Sequence, residues 1–102
     1  MKLNVYERLI LLNVLPKEGD FTTLKIIRAL RETLSFSEAE HKALEFKQEE
    51  QNIQWKQEAD KPKDVTFGEK ATDIIVEVLK KLNTDKKLTE QHYGLYEKFI
   101  GD

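Results

Sequence analysis

The chain has 102 residues, 39% of them hydrophobic and 35% charged, with a formal net charge of −2. That length gives a single domain over residues 1–102 with one hydrophobic core. With no cysteine, disulfides, thiolate metal sites and thiol nucleophiles are excluded, and the interspersed, slightly acidic charge argues against nonspecific nucleic-acid binding.

The apolar run from Leu9 to Leu12 is far shorter than the roughly 20 residues of a membrane span. Glu7, Arg8 and Asn13 interrupt any signal-peptide core, so a cytoplasmic protein without a membrane segment is expected. Asn4 can cap a first helix, with Glu7 completing a capping box, and Pro16 stops it. After the turn Lys17-Glu18-Gly19-Asp20, a second helix runs from about Thr22 to Leu34, with Ile26, Ile27, Leu30 and Leu34 as its apolar stripe. Ser37 with Glu40 makes another capping box and opens a short third helix over about Glu38 to Lys42.

The pairs Leu44/Phe46, Ile53/Trp55 and Val65/Phe67 alternate with polar residues and predict three short strands. A competing helix from Glu38 to about Gln51 is also compatible with the residues there, nearly all good helix formers. Residues 57–64, polar and holding Pro62, are predicted to be an exposed loop. Ala71, Ile74, Ile75, Val78, Leu79 and Leu82 then line one face of a helix over about Glu69 to Leu82. Thr89 can cap a final helix reaching about Ile100. The expected fold is α+β and helix-dominated: four to five helices, with a small three-stranded antiparallel meander inserted after the third.

The first helix is apolar on both sides, with Val5, Leu9, Leu12 and Leu15 on one and Ile10, Leu11 and Val14 on the other. Either it is buried centrally, or the Ile10, Leu11 and Val14 face docks another copy of the chain or a different protein. The final helix carries Tyr93, Tyr96 and Phe99 on one arc, and an aromatic stripe of this kind serves as core or interface. These six residues are the candidate partner surface.

No chemistry-bearing motif stands against that reading. Ser35 and Ser37 are explained by helix capping, and the four glycines are scattered, so no phosphate-cradling loop exists. Glu38 and His41 make one Glu-x-x-His spacing, whereas carboxylate-bridged di-iron bundles need two. The acidic pair Glu49-Glu50 reads as solvated charge. No catalytic, cofactor or metal site is expected, and the chain is not expected to be an enzyme. Lys25, Arg28 and Arg31 share the side of the second helix opposite its stripe, which gives an alternative: a winged-helix-like DNA-binding regulator. Glu38, Glu40 and Glu45 on and beside the third helix oppose it, since they would repel phosphate.

Five segments, Glu7 to Leu12, Leu15 to Gly19, Thr23 to Arg28, Phe67 to Thr72, and Leu95 to Phe99, resemble small proteins encoded by bacteriophages and prophages. The resemblance implies a phage accessory, assembly or anti-defence role and carries over no functional residue. The expected function is a small protein-interaction module, self-associating or binding a larger protein.

Overall fold

The computed structural model describes residues 1–49 and 52–101. Five α-helices carry the fold: α1 (Val5–Val14), α2 (Phe21–Leu34), α3 (Glu38–Leu44), α4 (Glu69–Thr84) and α5 (Glu90–Phe99). Four short strands accompany them: β1 (Lys2–Leu3), β2 (Lys47–Glu49), β3 (Asn52–Gln54) and β4 (Lys63–Asp64). The architecture is α+β with helix predominant.

Local chemistry sets the helix starts. The Asn4 side chain accepts from the Glu7 amide at 2.8 Å and the Glu7 carboxylate accepts from the Asn4 amide at 3.0 Å, a reciprocal box that satisfies two orphan donors. Ser37 and Glu40 repeat the arrangement at α3. Asp20, placed in the preceding turn by sequence, caps α2 by accepting from the Thr23 amide at 2.8 Å, which holds its carboxyl below the ordinary carboxylate value. At the other end of the chain, Gly101 adopts φ 79° after α5 and its amide reaches the Tyr96 carbonyl, a left-handed closure that glycine makes without steric cost.

α1 is the central helix. It packs against α2 and α5, and α4 in turn packs on both of those. Ile10 and Leu11 on α1, with Leu15 just beyond it, are buried among Ile27, Leu30, Ile75, Leu79 and Leu95. Each such side chain contributes about 2 kcal/mol through removal from water. The face carrying Ile10 and Leu11 is therefore covered by the chain itself, at 7% and 0% exposure, and offers a partner nothing; Val14 is half-buried against the same core. Leu9 and Leu12, on the other side, are half-buried, and Tyr6 and Asn13 are exposed.

The expected three-stranded meander is replaced by two separate two-stranded antiparallel sheets. β1 pairs with β4 (Lys2 with Asp64, Leu3 with Lys63), and β2 pairs with β3 as a hairpin (Gln48 with Ile53). Leu44 is not a strand residue because α3 runs on to it and buries it at 2% exposure. Glu45 then enters the left-handed region at φ 49° and ends the helix, so the competing helix does not pass it; Glu50 and Gln51 lie outside the described residues. Val65 and Phe67 both pack into the core just past β4, and Val65 carries the β1–β4 pairing one step further by exchanging backbone hydrogen bonds with Met1. Residues 57–64 are more ordered than a loop: they hold a 3₁₀ turn (Gln57–Ala59) and β4. Asp60 anchors them, its carboxylate accepting from the Val5 amide at 3.0 Å and from Trp55 Nε1 at 3.3 Å.

Candidate functional site: an aromatic groove beneath the hairpin

The site is built outward from one buried cation. Arg8 lies on α1 with no solvent exposure, the only buried polar side chain among the described residues. Its guanidinium fork matches three partners at once, at the end of α2 and on α3. Nε donates to the Leu34 carbonyl at 3.1 Å and Nη2 to the Ser35 carbonyl at 2.7 Å, which satisfies carbonyls at the open end of α2. Nη1 donates to Glu40 Oε2 at 2.6 Å. That charged hydrogen bond, helped by the Ser37 amide, pulls the Glu40 carboxyl down to about 2 against the opposing effect of burial.

The guanidinium carbon also sits 4.0 Å from the centroid of the Phe36 ring, a cation–π contact strengthened by exclusion of water. Phe36, in the joint between α2 and α3, begins an edge-on aromatic ladder. Its ring centroid lies 5.1 Å from that of Phe46 and 6.1 Å from that of His41, and Phe46 lies 6.1 Å from Trp55. Because strand side chains alternate, Phe46, Gln48, Ile53 and Trp55 share one face of the hairpin, while Lys47, Asn52 and Gln54 share the other. The apolar face and the Phe36 rung enclose a groove of about 320 Å³ lined by Leu9, Phe36, His41, Phe46, Gln48 and Ile53. Ile53 is 43% exposed at its rim.

The hairpin stands on a narrow base. The Lys56 amide donates to the Leu44 carbonyl at 2.8 Å, and Lys56 pairs with Glu45. No third strand lies beside either edge among the described residues. Chemically the groove offers shape, aromatic surface and free strand edges. No group of three or more histidines and acidic residues able to hold a metal occurs among the described residues, and no described helix is long and apolar enough to cross a membrane.

The residues singled out by sequence scatter around this site. Tyr93 points outward at 64% exposure. Tyr96 and Phe99 pack on the core, Tyr96 accepting from Asn83 Nδ2 at 3.4 Å and Phe99 edge-on to Phe67 at 5.2 Å. The α5 stripe is rotated so that Leu95, not the aromatics, is the fully buried residue, at 1% exposure. Lys25 and Arg28 stand exposed on α2, with Arg31 half-buried beside them. Arg8, Phe36 and the Phe46–Trp55 pairing were not anticipated as a site. The available signal was a charge inside a helix otherwise apolar all round. No known protein family, curated protein or solved structure matches the chain.

Proposed function

We propose that the chain is a non-enzymatic protein-interaction module, self-associating or binding a larger protein, and that it docks through the β2–β3 hairpin and the groove beneath it. The observation that carries this reading is the hairpin itself, an amphipathic ribbon with an aromatic face and two edges that no strand pairs among the described residues. An isolated two-stranded hairpin is marginal in water, and a third strand or a packed face completes it. Natural edge strands are normally guarded by charge, yet Asn52-Ile53-Gln54-Trp55 carries none. Strand addition to β3 would add main-chain hydrogen bonds while an apolar side chain of the incoming segment fills the groove. An accessory, assembly or anti-defence role in a phage is part of this proposal and is what the resemblance to small phage proteins implies.

The test is Ile53→Lys, which installs an edge charge at an exposed position and leaves the core untouched. Light scattering over a concentration series should show wild type as a dimer or larger species and the variant as a monomer. If wild type is monomeric, a partner retained from host lysate should be lost by the variant. A monomeric wild type that retains nothing the variant loses refutes the proposal.

A further inference from the structure

A second surface, independent of the groove, lies on the outward side of α2. The buried residues of that helix are Ile27, Leu30 and Leu34. At 100° per residue, Phe21, Lys25, Arg28 and Glu32 fall on the opposite side, flanked by Leu24, and all are exposed. Phe21 is 81% exposed and Leu24 40%, so a large aromatic and an aliphatic side chain one turn apart stand in water with no cover. Lys25 and Arg28 follow over the next two turns, and Arg31 emerges half-buried at their edge. Among the described residues none of these three cations forms an ion pair. Lys63 adds a fourth positive charge near the end of the helix, its ammonium donating to the Thr33 carbonyl at 2.9 Å. Glu32 is the one acidic residue on that face. Positive charge is thus concentrated here on a chain whose net charge is −2.

We infer that the outer face of α2 docks an acidic, amphipathic helix of another protein. The spacing of Phe21, Leu24, Lys25 and Arg28 at intervals of three, four and seven is the pattern that a facing helix matches with its own apolar and charged positions. Apolar side chains of the partner cover Phe21 and Leu24, and carboxylates meet Lys25, Arg28 and Arg31, where arginine forks accept bidentate pairing. A polyphosphate strand fits less well. The N-terminal end of α2, where a phosphate would gain most from the backbone amides, is capped by the Asp20 carboxylate and preceded by Glu18.

The experiment selects a displayed random-peptide library against the whole protein, with a single-stranded oligothymidylate titrated in parallel. The expected peptides carry net negative charge with leucine or aromatic residues three or four apart. Their affinity should fall at least about tenfold in Arg28→Glu and in Phe21→Ser, and weaken between about 50 and about 300 mM salt as Debye screening shortens. Ile53→Lys should leave them bound, which separates this surface from the groove. Both α2 positions are exposed, and unchanged thermal melts would establish that each variant folds. Peptides without acidic bias, acidic peptides indifferent to both α2 substitutions, or salt-sensitive binding of the oligonucleotide alone would each overturn the inference.

Discussion

Replacing Glu40 by Gln removes one charge and almost no volume, and it isolates what the Arg8 pair contributes. The amide still accepts from the Ser37 backbone, so the α3 capping box survives. What is lost is the anion facing a guanidinium with no solvent exposure. The Glu40 carboxyl is lowered from 4.5 to about 2, which by linkage corresponds to about 3 kcal/mol of stability at neutral pH. With 34% of the Glu40 side chain open to water, screening reduces that to about 2 kcal/mol. The sign follows from the direction: a depressed folded-state value stabilises above the unfolded value, and the contribution disappears as pH falls from about 5 to about 2. Urea unfolding of both proteins, followed by far-ultraviolet circular dichroism over that range, measures the gap directly. Wild type should exceed the variant by about 2 kcal/mol at neutral pH, roughly 10 °C in melting temperature. The two should converge near the acid limit, where wild-type Glu40 is itself neutral. A neutral-pH gap below about 0.5 kcal/mol, or one that does not narrow on acidification, would refute the reasoning.

Leu11→Ala should destabilise by about 3 kcal/mol through lost burial and a residual cavity, and Leu11→Lys should abolish cooperative thermal unfolding rather than free a surface; a folded Lys variant would contradict the central placement of α1. Asp60→Ala leaves the Val5 amide and Trp55 Nε1 without their acceptor, at about 1–2 kcal/mol in denaturant titration, with a shift in the emission of Trp55, the sole tryptophan. Glu45→Gly should raise stability by about 0.5–1 kcal/mol in the same titration, because glycine adopts the left-handed cap freely and the exposed pair with Lys56 is worth little.

The helices were legible because their signals are local. Asn4 with Glu7 and Ser37 with Glu40 lie within one turn, and the stripe Ala71, Ile75, Leu79 repeats at the helical period. The strands were misplaced because period two names no partner: Val65 exchanges backbone hydrogen bonds with Met1, far away in sequence, while Phe67 packs on the core. β1 was invisible, being two residues whose partner stands about sixty positions away. The candidate site was hidden for the same reason. Arg8 reads as a surface charge until Glu40, Leu34 and Ser35 are brought to it by the turn after α2. The two faces of α1 were correctly seen as needing cover, but α5, separated from it by most of the chain, supplies much of that cover.

That separation has a consequence for how the molecule comes into being. Lys98 on α5 holds the Lys2 carbonyl and the Glu7 carboxylate at the start of α1, and Leu95 enters the same core cluster as Leu11. During synthesis, at about 5–20 residues per second, the apolar helix α1 emerges well before α5, which shields it. For several seconds the nascent chain therefore carries the Leu9–Leu12 segment without the cover that α5 supplies. Because its closing contacts join distant residues, folding should be slow for a mainly helical chain of this size.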